Sequence, residues 1–266
     1  MNRPLIVLLT DFGLRDHYVG TLKGVILSIC PEARIIDLSH GIEPQNVAQA
    51  ALLLETSYAV FPKGSIFVCV VDPGVGTKRK ALCVKTSNYY FIGPDNGILS
   101  LALNHEKRLA IRSIENRRFF LKSIPSSTFH GRDIFSPTAA HLARKNIFNQ
   151  LGPKVSTIHS IALPKVKKRG NRLEGEILYF DHFGNAITNI HERDGSVDLW
   201  KKANIFVRDI TLGKLRRTYG EGPKTLCAVL NSSSQLEIAV PHGNAKTEAS
   251  LEIGDEVGVV SNEKRS

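Results

Sequence analysis

The richest chemistry in the chain lies in Asp72-Pro73-Gly74-Val75-Gly76-Thr77-Lys78-Arg79. Two glycines let backbone approach a ligand closely. An aspartate and an arginine seven residues apart across a tight turn can meet, and a guanidinium favours the charged form of a neighbouring carboxylate. Such a pair can orient a water or a polar substrate. It can equally be an ion pair that only pins a turn. The segment is akin to a phosphate loop, but G-x-x-x-x-G-K-[ST] is absent, and the remaining G-x-G is a weak signal. His130, in Phe129-His130-Gly131-Arg132-Asp133, could donate, accept or act as a base. A lone loop histidine more often has no such duty. Asp11 closes an apolar run in Thr10-Asp11-Phe12-Gly13. A carboxylate at a strand end is a common way to hold a ribose diol; the alternative is a helix cap.

Three further clusters are weaker. Gly93-Pro94-Asp95-Asn96-Gly97 reads as a strand-to-helix turn made of turn formers. Asp181-His182-Phe183-Gly184-Asn185 and Asn231-Ser232-Ser233-Ser234 offer small polar groups and open backbone, with hairpin tips as the plain reading. No His or Cys cluster has ligand spacing, so no metal is expected.

These residues need elements to position them. Residues 5–9 form a continuous apolar run, the pattern of a buried parallel strand that opens into a loop at its carboxyl end. Helical spacing follows over 17–30 and stops at Pro31. Strands are expected at 34–38 and 65–71, with a helix over 46–59 between them. Strand, helix, strand, helix, strand predicts a layered α/β sheet of Rossmann-like type. In such sheets ligands bind beyond the carboxyl ends of the strands, where Asp11 and Asp72 stand, while Asp37 falls too early in its strand. Residues 80–85 and 89–92 read as a hairpin, and 96–104 and 132–145 as helices. The text over 152–172 turns to Pro, Gly, Ser and basic residues and reads as a linker. Short runs at 175–179, 187–190, 204–210, 225–230, 236–240 and 256–260 predict an all-β barrel-like domain.

Composition excludes several classes. With 266 residues, 42% hydrophobic and 23% charged, the chain can bury a sizeable core. Its net charge of +10 is scattered, with denser spots at 165–172, Arg117-Arg118 and Arg216-Arg217. A nucleic-acid partner is therefore not expected, since such footprints concentrate on one face. The start, Met1-Asn2-Arg3-Pro4 and then 5–9, is akin to a signal peptide but too short, and Asp11 ends it. No run approaches a membrane span. The four cysteines, Cys30, Cys69, Cys83 and Cys227, read as small buried hydrophobes of a reducing, cytoplasmic setting.

Thr10-Asp11-Phe12-Gly13, Val71-Asp72-Pro73-Gly74-Val75-Gly76 with Arg79, Gly93-Pro94-Asp95-Asn96-Gly97, Phe129-His130-Gly131-Arg132-Asp133, and Phe183-Gly184-Asn185 with Thr188-Asn189-Ile190 occur in this order. Together they resemble the S-adenosyl-L-methionine hydroxide adenosyltransferases, hydrolases related to fluorinating and chlorinating enzymes that use the same substrate. The resemblance implies an α/β domain over 1–152, a linker over 153–171 and a β-barrel domain over 172–266. It implies a homotrimer, with substrate held between one subunit's N-terminal domain and a neighbour's C-terminal domain. It assigns Asp72, Arg79 and His130 to the attacking water and Asp11, beside Phe12, to the ribose. Contacts to adenine and methionine map to Asp181, Phe183 and Asn185 and to Asn231, Ser232 and Ser233. The Asp181 turn is one residue shorter than in the fluorinating relatives, and their Arg in the second turn is Ser here. The halogenating relatives carry Tyr where this chain has Asp72, which points to water as the nucleophile. The implied reaction gives adenosine and L-methionine with no cofactor or metal. Three alternatives stay open: a halogenating enzyme of the same fold, an adenosyl-binding protein without turnover, and a magnesium-dependent phosphate enzyme.

Overall fold

The computed structural model describes residues 4–261; Met1, Asn2 and Arg3 of the signal-like start lie outside it, as do residues 262–266. The chain divides into two units after Ile161.

The first unit carries β1 (Leu5–Thr10), α1 (Tyr18–Ile29), β2 (Arg34–Ser39), α2 (Val47–Ser57), β3 (Ile66–Val70), β4 (Ala81–Lys85), β5 (Tyr90–Pro94), α3 (Ser100–Leu103), β6 (Ala110–Ser113) and α4 (Ser136–Arg144). Its sheet runs β2-β1-β3-β5-β4-β6. Strands β2, β1, β3 and β5 are parallel, and β4 is antiparallel to both β5 and β6. The sheet is therefore mixed. Strands β1 and β3 are buried along their whole length, as expected where both faces are covered.

Side chains alternate between those faces. Ile6 and Leu8 pack in one cluster with Leu22 and Ile26 of α1 and Leu142 of α4. Leu5, Val7 and Leu9 pack in another with Leu54 of α2 and Leu103 of α3. The chain leaves β1 for β2 on one side and returns to β3 on the other. The carboxyl ends of β1 and β3 thus flank a crevice where the winding reverses, the usual ligand position in such sheets.

Several segments differ from the sequence expectation, among them the linker, which holds a short strand at Lys167–Arg169, and the all-β unit, which holds short helices at Val197–Lys201 and Ala245–Glu248. The helix expected over 96–104 forms only as α3, because the Asn96 carboxamide is engaged by Val71 O and Ile98 N and Gly97 takes φ 97°. The helix expected over 132–145 opens with a π turn, Gly131–Phe135, closed by Ser136 N on Gly131 O. Strand β6 has no alternating apolar signal, being a short edge strand with only Ser113 buried. Within residues 153–161, His159 N donates to Asp95 Oδ1 at 2.7 Å and Ile161 N to Ser100 Oγ at 3.1 Å.

The second unit carries β7 (Lys167–Arg169), β8 (Arg172–Phe180), β9 (Ala186–His191), α5 (Val197–Lys201), β10 (Ala203–Val207), β11 (Ile210–Gly213), β12 (Cys227–Leu230), β13 (Gln235–Ala239), α6 (Ala245–Glu248) and β14 (Glu256–Ser261). All its strand pairs are antiparallel, in the order β11-β10-β14-β8-β9-β13-β12, with β7 beside β8. A bridge between Arg216 and Val229 draws the two ends of this path together. The result is a nearly closed barrel whose interior holds Leu173, Ile177, Ile205, Leu236, Ile238 and Val257.

Candidate active site

Asp72 follows β3 at the crevice. Arg79 Nε lies 3.0 Å from both Asp72 carboxylate oxygens, and its Nη2 donates to Oδ2. The same Nη2 is 2.7 Å from His130 Nδ1. The Asp72 and Arg79 side chains are only 5% and 10% exposed. Arginine can only donate, so Nδ1 accepts and the neutral imidazole carries its proton on Nε2. Burial, and then the Arg79 charge, push His130 below the ordinary imidazole range, against the pull of Asp72 and Asp133. The three residues form one chain, with Arg79 at its centre.

Two loops make this possible. The loop after β3 folds on itself through Val75 N to Asp72 O and Thr77 N to Gly74 O, both 3.1 Å. At Gly76, φ is 78° and a Cβ would collide with the Ser127 carbonyl. Only glycine lets this loop lie against the 126–130 segment, which carries His130. That segment is anchored in turn: fully buried Asp133 accepts from Ser126 N at 2.7 Å and from Arg132 Nε at 2.6 Å.

Asp11 and Phe12 stand beside this chain. Asp11 Oδ2 accepts from Gln45 N at 2.8 Å. Gln45 holds φ 66°, a left-handed conformation rare outside glycine and typical of functional loops. The Phe12 ring meets Tyr18 and Phe129 edge-on at 5.8 and 6.0 Å. Asp11, Phe12, Gln45, Asp72, Thr128 and His130 line one cleft of about 300 Å³. The sequence reading missed Gln45 and Thr128; Pro44 before Gln45 was the one local turn signal.

The second unit has its own cleft, about 740 Å³, lined by Asp181, Phe183, Asn185, Tyr219 and His242 among others. Asp181 Oδ1 accepts from the backbone N of Phe183 and of Asn185, both at 2.9 Å, and Oδ2 from Asn185 Nδ2 at 3.0 Å. Phe183 is 70% exposed. Below the cleft, buried Glu237 accepts from Tyr219 Oη at 2.7 Å, and burial pushes its carboxyl above the usual range. Glu237 had a sequence signal, a charge between Leu236 and Ile238 in an apolar strand; Tyr219 and His242 had none. Asn231, Ser232 and Ser233 do not line this cleft. Asn231 Oδ1 caps its own turn, accepting from Ser233 N at 2.9 Å and Gln235 N at 3.1 Å.

Residues 6–152 match the SAM hydroxide adenosyltransferase N-terminal domain, and residues 175–258 match the C-terminal domain. The chain belongs to the SAM hydroxide adenosyltransferase family. An (R)-S-adenosyl-L-methionine hydrolase of Thermus thermophilus is 37% identical over 261 residues, covering 95% of this chain and 97% of that protein. A fluorinase of an Actinoplanes species is 28% identical over 220 residues, or 73% of this chain and 74% of the fluorinase. The crystal structure of an uncharacterized conserved protein from Thermotoga maritima superposes with a TM-score of 0.89 at 38% identity, covering 96% of this chain and 99% of that one. Among the described residues of this SAM hydroxide adenosyltransferase family member, no three His, Cys, Asp or Glu side chains gather as a metal-holding group. No described helix is long and apolar enough to cross a membrane. All four cysteines are buried and unpaired, as the sequence suggested.

Proposed function

We propose that this chain hydrolyses S-adenosyl-L-methionine to adenosine and L-methionine, with the (R) sulfonium epimer as its substrate. The observation that carries the reading is the Asp72 carboxylate at the mouth of the β1–β3 crevice, gripped by Arg79, which also holds His130. The relative from Thermus thermophilus supports both the substrate and its epimer.

The sulfonium makes the ribose 5′ carbon electrophilic. Water oxygen bonds to that carbon, the C5′–S bond breaks, and its electron pair stays on sulfur. Methionine leaves as a neutral thioether, so the leaving group needs no acid and no Lewis-acid metal. Positive charge builds on the attacking oxygen. Asp72 stabilises that charge and takes one water proton, releasing it to solvent; the other stays in the adenosine hydroxyl. Arg79 uses up part of the acceptor capacity of Asp72. Positioning and charge stabilisation therefore contribute more than basicity. His130 keeps its Nε2–H to donate to the same water. A carboxylate at this point repels halide, which disfavours the halogenating reading.

In this reading Asp11 holds the ribose diol beside Phe12. Asp181, Phe183 and Asn185 contact adenine and methionine, with Asn231, Ser232 and Ser233 behind them. The active form is a cytoplasmic homotrimer in which a neighbouring copy completes each site, without cofactor. Four unpaired cysteines fit a reducing compartment. The Rossmann-like description of the first unit belongs to the same proposal, supported by the β2-β1-β3 order.

The test is chromatography of the purified protein with each sulfonium epimer, with chelator, and with and without chloride. Equimolar adenosine and methionine from the (R) epimer, indifferent to chelator and absent in Asp72→Ala, is the expected result. Tight binding without products, or a 5′-halogenated adenosine, overturns it.

A further inference from the structure

Two buried polar side chains have no part in that mechanism: Thr10, fully buried, and His40, 5% exposed. They touch. Thr10 Oγ1 lies 2.7 Å from His40 Nδ1. On the far side of the ring, His40 Nε2 is 3.1 Å from Asp37 Oδ1, close but off the line of an ideal hydrogen bond. Asp37 Oδ2 accepts from Lys23 Nζ at 2.6 Å. Toward the cleft, Phe12 N donates to Thr10 Oγ1 at 3.2 Å, and Gly13 N donates to the His40 carbonyl at 2.8 Å.

The protons can be placed. A carboxylate only accepts, so Nε2 carries the ring proton toward Asp37. Nδ1 then accepts the Thr10 hydroxyl proton, which leaves a lone pair on Thr10 for the Phe12 amide. From Phe12 to Lys23 the contacts run in one direction, with the His40 Nε2–Asp37 Oδ1 approach the one link that falls short of hydrogen-bond geometry. A Thr-His-Asp set invites reading as a nucleophile with its base. Burial rules that out, since Thr10 is 0% exposed and does not line the cleft.

What the set does is hold a loop. Phe12 N and Gly13 N flank the peptide that follows Asp11, and both end on His40 or on its partner Thr10. Five residues past His40, Gln45 N grips the Asp11 carboxylate. We propose that His40 is a positioning residue for the Asp11 carboxylate, acting through Thr10, with Asp37 and Lys23 fixing its ring. This rests on the reading of Asp11 as the ribose contact.

Four variants test it: His40→Leu, His40→Asn, the near-isosteric Thr10→Val, and His40→Leu combined with Asp11→Asn. His40→Leu and Thr10→Val should weaken adenosine binding and raise KM about three- to tenfold, the worth of one hydrogen bond, with kcat nearly unchanged. His40→Asn, whose Oδ1 can stand in for Nδ1, should recover most of the loss. In the Asp11→Asn background His40→Leu should add nothing, the mark of residues acting as one unit. In ligand-free protein, the Phe12 amide should exchange with deuterium faster in His40→Leu while Leu8 does not. Additive losses with Asp11→Asn, or unchanged Phe12 exchange, overturn the proposal. If the parent protein binds no adenosine, the functional reading falls, and Phe12 exchange still decides whether His40 holds the loop.

Discussion

The two clefts spend their polar groups differently. In the first unit Arg79 joins Asp72 and His130 through buried, charge-assisted contacts, and the loop that carries Asp72 and Arg79 leaves the carboxyl end of the parallel strand β3. In the second unit Asp181 satisfies the amides of its own turn, while Phe183 stands 70% exposed. The first cleft has its charges in place before any ligand arrives, the arrangement that stabilises developing charge. The second offers shape and apolar surface. In the proposed reading, chemistry falls to the first kind of architecture and recognition to the second.

The division is broken most directly at Asp72. Asp72→Ala should lower kcat about 10³-fold, within the usual span for a positioned acid–base group, and leave KM within a few-fold. Unchanged kcat with a raised KM would move Asp72 from chemistry to binding. Arg79→Lys comes next. Lysine cannot span Asp72 and His130 with one planar fork, so kcat should fall about 10²-fold even with the charge kept. Arg79→Ala, which strands a buried carboxylate, should also cost about 3 kcal/mol in denaturant unfolding. A full-activity Arg79→Lys enzyme would reduce Arg79 to a mere counter-charge.

Phe183→Ala sharpens the comparison from the other side. It should raise KM about five- to tenfold, the worth of one aromatic contact, while the melting temperature holds because the ring is already in water. A falling melting temperature would mean that Phe183 is structural.

The smallest effect is in pH. His130 faces Arg79, Asp72 and Asp133, and its pKa is lowered in the fold. The neutral ring is therefore the native form. Its contribution to stability is complete above the unfolded value of about 6.5 and is lost as pH falls below it toward the lowered folded value. The kcat profile should show an acid limb below about pH 6.5 that His130→Gln removes. A limb that survives the substitution would assign the titration to another group.

Much of the fold was legible because burial leaves a local mark. Continuous apolar runs located β1 and β3, and helical spacing located α1 and α2. Short strand-like runs located six barrel strands, while β7 lay in the expected linker and β11 had no run of its own. Strand β6 and the π turn before α4 were not legible, since edge pairing and Ser136 N on Gly131 O depend on neighbours outside the local pattern. The site divides in the same way. Asp72 and Arg79 sit seven residues apart in one loop, close enough for their spacing to suggest contact. Gln45, Tyr219 and His40 carried little or no local signal, and no local spacing showed that Asn231 Oδ1 accepts from Ser233 N and Gln235 N.

The sequence alone determined most of the long elements, because hydrophobic periodicity and turn chemistry act over a few residues. It also determined which carboxylates stand at strand ends. Only the tertiary structure decided that His130 reaches Arg79 across 51 residues of chain. That contact depends on Gly76 lying against Ser127 and on Asp133 anchoring Ser126. Such approaches are set by packing between segments distant in sequence, and no local spacing records them.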